Sequence, residues 1–225
     1  MGRPRTIFFD VGNTLLFPNR EVILAPLREH SAEPSLELWQ AIERRTKQEF
    51  DHEMQSGRAD HGFWQLFYTH LLNEMGIAAA GLDGRLVELT RNSANWGGIR
   101  PGTRQRLETF CKRFDIAVIS NADGKIVELL TAAGIADCFQ SITDSAIVGY
   151  EKPHPEIFAA ALREMKAQPE DSLYVGDVYS VDYLGARGAG MQAVLFDVSG
   201  AYREKGLPRV ESLEELEAAV GINGN

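Results

Sequence analysis

The stretch Thr6-Ile7-Phe8-Phe9-Asp10-Val11-Gly12-Asn13-Thr14-Leu15 runs apolar residues straight into a turn and leaves a carboxylate at the junction. Ile7, Phe8 and Phe9 have the β-branched and aromatic character of a strand covered on both faces, and Gly12-Asn13 supplies the turn that ends it. Asp10 is therefore expected at the carboxyl end of a buried strand. In open α/β sheets that edge is where ligands bind, so Asp10 is a candidate nucleophile or metal ligand. An Asp that merely starts a turn is the other reading this stretch allows.

Outward from this stretch, the pattern turns helical after Pro18 and stays so for most of the next eighty residues. Apolar stripes at Val22, Ile23, Leu24 and Leu27, then from Leu36 through Trp39 and Ile42 to Phe50, predict two helices. Phe63, Trp64, Phe67, Tyr68, Leu71 and Leu72 predict a third, and Leu86, Val87 and Leu89 a fourth. A small inserted bundle follows, with the aromatic stripe read as its core rather than as a pocket wall. His52, His61 and His70 have no second ligand at i+3 or i+4 and read as surface or capping residues. The segment 96–102, rich in glycine, reads as a hinge back to the first domain. Beyond it, strands near 116–119, 141–143, 173–175 and 193–196 alternate with helices, which builds a parallel sheet with helices on both faces. Asp123, just before Gly124-Lys125-Ile126, reads as a helix N-cap.

The bulk properties restrict the function classes. At 225 residues, 44% hydrophobic and 24% charged, the chain is that of an ordinary globular protein. It holds no apolar run of membrane-spanning length. A net charge of -9 argues against nucleic acid or an anionic membrane as the main partner. Cys111 and Cys138 form no metal or disulfide framework and read as small core residues, so the expected compartment is a reducing cytoplasm.

Four polar signals stand at corresponding places: Asp10 after the first strand, Ser120 after the second, Lys152 before a helix, and Asp177 with Asp182 after a later strand. Parallel strands gather such positions at one sheet edge. With Phe8-Phe9-Asp10-Val11-Gly12-Asn13-Thr14-Leu15, Val118-Ile119-Ser120-Asn121, Gly149-Tyr150-Glu151-Lys152-Pro153 and Tyr174-Val175-Gly176-Asp177 running on to Asp182, the chain resembles the haloacid dehalogenase-like (HAD) hydrolase superfamily over essentially its whole length. The resemblance implies a Rossmann-like parallel sheet flanked by helices at 1–17 and 96–225, with a four-helix (C1-type) cap inserted at 18–95. It also implies a Mg²⁺-dependent phosphatase of small phosphorylated metabolites. In that reading Asp10 attacks phosphorus to form an aspartyl phosphate. Asp10, the Gly12 carbonyl, Asp177 and Asp182 surround the metal. Lys152, Ser120, Asn121 and Thr14 bind the phosphoryl group or orient the nucleophile loop.

One position departs from the family pattern. Phosphatases of the superfamily usually carry, two residues after the nucleophile, an Asp that serves as general acid and base, and this chain has Gly12. Asn13, which follows, tolerates the left-handed backbone that the turn needs. Glu53, Asp60 and His61 are candidates to replace the lost group from the cap. A 2-haloacid dehalogenase, whose halide leaves without a proton, and a non-catalytic binding protein on the same fold remain alternatives.

Overall fold

In the computed structural model, which describes residues 3–57 and 62–222, β1 (Thr6–Phe9) delivers Asp10 and a short β2 (Leu16–Phe17) follows its turn. The helices α1 (Arg20–Ile23), α2 (Ala25–Arg28), α3 (Leu36–Gln55), α4 (Phe63–Glu74) and α5 (Leu82–Arg91) come next. β3 (Gly98–Ile99) then pairs antiparallel with β2. The two passages between sheet and helices are thus tied to each other as a ribbon, where the sequence suggested only a hinge.

The remainder alternates as expected: α6 (Thr103–Cys111), β4 (Asp115–Ser120), α7 (Ile126–Ala132), β5 (Ser141–Asp144), α8 (Ser145–Val148), α9 (Pro155–Met165), β6 (Ser172–Gly176), α10 (Leu184–Gly188), β7 (Gln192–Phe196), β8 (Arg209–Val210) and α11 (Leu213–Ala219). The described residues form a six-stranded sheet of order β5-β4-β1-β6-β7-β8, parallel throughout. This is the α/β, Rossmann-like architecture expected. Among the described residues no helix is long and apolar enough to cross a membrane.

β1 is central because it has a strand on each side and a packed layer on each face. Ile7 and Phe9 join Leu107, Phe110, Val118 and Val175 in one layer. Phe8 joins Ile157, Phe158, Ala161 and Tyr174 in the other. Strand parity thus puts Tyr174 on the Phe8 face, beneath the sheet's carboxyl edge. The helices from α1 to α5 bury a separate cluster that includes Ile23, Leu27, Trp39, Phe67, Tyr68, Leu71 and Leu86. Burying a core of their own accounts for a helical insertion that packs as a unit.

Three readings of local sequence change. Of the two cysteines expected in the core, Cys138 is buried, but Cys111, the last residue of α6, is exposed. Asp123 does not cap α7; its Oδ2 accepts the Ser93 hydroxyl at 3.0 Å, while Asp144 accepts from the main chain of Gly124 and Ile126. His70 is buried, with Nε2 at 2.8 Å from Glu49 Oε2, and so ties α4 to α3 rather than facing water. His52 is exposed, and His61 lies outside the described residues.

At the end of β6 the backbone must come close to a functional side chain. A Cβ placed on Gly176 would lie 2.5 Å from Asp182 Cγ. Overpacking of this kind costs about 1–3 kcal/mol. Gly176→Ala should therefore lower the unfolding free energy by about that amount in urea melts; unchanged stability would mean that the Asp182 loop yields without cost.

Candidate active site

Asp10 is held from both sides. Its N–H donates to Val175 O at 2.8 Å across the sheet, and its Oδ1 accepts from Lys152 Nζ at 2.7 Å. Val11, Gly12 and Asn13 then turn sharply, with Asn13 at φ 53°, the left-handed geometry expected of it.

Lys152 is almost completely buried. Its ammonium donates to Asp10 Oδ1, Asp182 Oδ1 and the Tyr174 hydroxyl, each at 2.7 Å, which accounts for all three of its protons. Its main chain is strapped by Asn121, whose Oδ1 accepts Lys152 N–H at 2.7 Å and whose Nδ2 donates to Lys152 O at 3.0 Å. Asn121 was expected to face a substrate. It does line the cavity, but its observed bonds position the lysine.

Asp177 and Asp182 follow β6. Asp182 sits in a π-helical turn, Tyr179–Tyr183, that bends the chain back so that its Oδ2 accepts Val178 N–H at 2.9 Å. One carboxylate oxygen from each of Asp10, Asp177 and Asp182 lies within 4.8 Å of the others, and all three residues are buried. Burial pushes the Asp10 carboxyl up to about 7; Lys152 pulls it down, and Asp182 and Asp177 add to the rise. Burial likewise lifts Asp177 to about 6 against the pull of Lys47. For Lys152, burial alone would lower the pKa, but Asp10 and Asp182 outweigh it and the ammonium is held above its ordinary value. The group is one in which each charge depends on its neighbours.

Two members of the group escaped the sequence reading. Lys47, 1% exposed, comes from the middle of α3 and places Nζ at 2.9 Å from Asp177 Oδ2 and 2.8 Å from Glu43 Oε1. Glu43, Lys47 and Asp51 recur every four residues, with Asp51 Oδ1 accepting Ser180 N–H at 2.9 Å. That i, i+4 polar row between apolar residues is the signal that could have found Lys47. Tyr174 is the other. Its hydroxyl accepts from Lys152 and has Ile119 O at 3.2 Å and Asp182 Oδ1 at 3.1 Å for its single proton.

Ser120, at the end of β4, is buried and lines a cavity of about 600 Å³ in front of Asp10. Gly12, Lys152, Asp177 and Asp182 line it too. Thr14 does not; it is buried behind the loop, with no hydrogen-bond partner for Oγ1. The aromatic stripe divides. Phe67, Tyr68, Leu71 and Leu72 are core as expected, but Phe63 and Trp64, one turn earlier, form cavity wall. Glu53 is not among the lining residues, and Asp60 and His61 lie outside the described ones.

The haloacid dehalogenase-like hydrolase family profile matches residues 4–190. Haloacid dehalogenase-like hydrolase domain-containing protein 3 of Bos taurus is 28% identical over 204 residues, 85% of this chain and 81% of that protein. The glyceraldehyde 3-phosphate phosphatase of Methanothermobacter thermautotrophicus is 37% identical over 111 residues, 48% of this chain and 49% of that protein, so the alignment spans about half of each. Among solved structures, the magnesium-bound HAD-hydrolase YfnB of Bacillus subtilis superposes with a TM-score of 0.69 at 20% identity, covering 97% of this chain and 99% of that one.

The Tyr174 hydroxyl bonds a buried charge, and such bonds contribute about 1.5–3 kcal/mol. Tyr174→Phe should remain folded and lose about 1–2 kcal/mol in chemical denaturation, since Lys152 keeps its two carboxylates. A loss below about 0.3 kcal/mol would remove the hydroxyl from the account of how Lys152 is held.

Proposed function

The chain belongs to the haloacid dehalogenase-like hydrolase family, and from that premise we propose that it is a phosphatase of small phosphorylated metabolites, with Asp10 as nucleophile and one Mg²⁺ beside it. The observation that carries this reading is the buried trio Asp10, Asp177 and Asp182. With Glu43 they make four carboxylates facing two ammonium groups, Lys47 and Lys152. With all four ionised, the shortfall is two positive charges, which one divalent cation supplies. A donor set made only of oxygen suits Mg²⁺ rather than a softer metal. Asp10, Asp177, Asp182 and the Gly12 carbonyl would hold the ion, which when bound offsets the negative charge of the phosphoryl oxygens.

The chain's own groups do the rest. Asp10 attacks phosphorus, the ester oxygen departs, and water then cleaves the aspartyl phosphate to release inorganic phosphate. Lys152, a compact point charge 2.7 Å from the nucleophile, stabilises phosphoryl oxygens through its charge, its three protons being engaged by Asp10, Asp182 and Tyr174. Ser120 donates to a phosphate oxygen from the end of β4. Asn121 keeps the Lys152 main chain in register, and Thr14 supports the nucleophile loop from behind. Residues 18–95 act as a cap on a core formed by 1–17 and 96–225, and α3 brings Lys47 onto Asp177 from that cap.

The glyceraldehyde 3-phosphate phosphatase relative supports a phosphate ester as substrate, within the half of the chain that aligns. A 2-haloacid dehalogenase has no need of three clustered carboxylates, because halide leaves as an anion without a metal. A binding protein would keep, for no chemical return, a buried charge cluster that apolar residues could replace without loss of stability.

Asp10→Asn tests the assignment. It removes one of three mutually repelling carboxylates, so the metal-free variant should be folded and at least as heat-stable as the parent. Turnover of phosphate substrates should fall by about 10⁴-fold or more, since nothing else can carry the phosphoryl group. Acid-quenched native enzyme should carry phosphate on the peptide containing Asp10. Phosphate recovered on another side chain, or normal turnover by the variant, would refute the nucleophile.

A further inference from the structure

Asp10 lines the cavity, and the lining contributed from outside the sheet includes four aromatic side chains, Phe50 of α3, Phe63 and Trp64 of α4, and Trp96 of the returning segment, beside the polar Thr90, Arg91 and Ser93. The rings form a continuous chain, with centroids 5.6 Å apart for Phe50–Phe63, 5.1 Å for Phe63–Trp64 and 5.7 Å for Trp64–Trp96. Displacement at phosphorus runs in line, so the oxygen that leaves does so on the side away from Asp10, toward this wall.

Two consequences follow for the leaving group. The rings meet edge to face, with interplanar angles of 87°, 89° and 63°, and together make a rigid apolar surface that favours a flat apolar body over a polar chain. Among the described residues, the aromatic part of this lining is also a poor source of protons. The Trp96 Nε1–H is given to Thr90 O at 2.6 Å, and an indole N–H is no acid near neutrality. Two residues past Asp10, Gly12 presents only hydrogen beneath that indole; a Cβ there would meet Trp96 Cζ3 at 3.4 Å. The three protons of Lys152 are engaged by Asp10, Asp182 and Tyr174. Asp123 and Glu151, carboxylates of core loops, also line the cavity, and Asp123 Oδ2 accepts the Ser93 hydroxyl at 3.0 Å.

We propose that the substrates are aryl phosphates, phosphate esters of a flat phenolic group, and that alkyl phosphates are disfavoured; this deepens the phosphatase reading and rests on it. In the step, an Asp10 oxygen bonds to phosphorus as the bond from phosphorus to the aryl oxygen breaks. The bonding pair stays with that oxygen, which departs as a phenolate and takes its proton from water afterwards. Water then hydrolyses the aspartyl phosphate, yielding inorganic phosphate and free Asp10.

The test uses the full chain with Mg²⁺ and compares kcat/KM for phenyl and 1-naphthyl phosphate with that for butyl phosphate and glyceraldehyde 3-phosphate, with acetyl phosphate as a non-aromatic acyl phosphate whose leaving group, acetate, needs no proton. A positioned acid contributes about 10² to 10⁴ in rate, so the aryl esters should exceed the alkyl esters by at least about 10²-fold. Trp64→Leu should raise KM for 1-naphthyl phosphate by about 3- to 10-fold through lost stacking, and the wild-type series stands without it should the variant not fold. Alkyl esters turned over within about tenfold of aryl esters would overturn the inference and leave the phosphatase reading standing. Turnover of acetyl phosphate alone would overturn it equally. No turnover of any of the five compounds would overturn both.

Discussion

Three carboxylates, Asp10, Asp177 and Asp182, share one buried space at the carboxyl edge of the sheet, and much of the surrounding structure can be understood as what makes that arrangement tolerable. Ionised carboxylates at such separations repel strongly when water is excluded. Lys152 lies between Asp10 and Asp182, and Lys47 reaches Asp177 from α3. Each ammonium stays charged despite complete burial because the carboxylates beside it outweigh the desolvation. Nothing in folding alone calls for such a cluster, since buried ion networks are often matched or bettered in stability by apolar packing. Its chemistry is the better account of its presence.

The cluster also explains features of the fold that look unrelated. Gly176 has no side chain because Asp182 occupies that space. The π turn after β6 returns Asp182 to the sheet edge while its neighbours continue into α10. Tyr174 carries its hydroxyl up from the buried face to meet Lys152. On α3 the row Glu43, Lys47, Asp51 couples the inserted helices to the core, helped by Arg44 donating to Ser199 O at 3.1 Å and Gln48 donating to Ala201 O at 3.3 Å. The position of the insert and the charge balance of the site are therefore linked through one lysine.

How much of this could be read from sequence depended on whether a residue's position follows from its own strand. Asp10, Ser120 and Asp177 each come directly after a run of buried residues, so the parallel sheet brings them together without further information, and Lys152 and Asp182 lie a few residues from such an edge. Lys47 has no such marker, because a charged residue in a polar helix row ordinarily faces water and its burial depends on which surface α3 docks against. Tyr174 was legible as a strand residue, but its hydroxyl partners come from β4 and the Lys152 loop and depend on tertiary packing. Asn121 illustrates the same limit: its place at the strand end was legible, while its two bonds to the Lys152 main chain depend on a loop some thirty residues later. The split of the aromatic stripe into core and cavity wall had no sequence signature, since both halves share one helical period.

On the proposed reading this acidic group, when fully ionised, lacks two positive charges and takes them up as one divalent ion. Calorimetric titration of metal-free protein with Mg²⁺ measures this most directly, alongside Asp177→Asn, which removes one ligand charge but leaves both lysines. One ion per chain should bind saturably, and about tenfold or more weakly in the variant. No saturable binding to the parent protein, or binding that Asp177→Asn leaves unchanged, would contradict that reading.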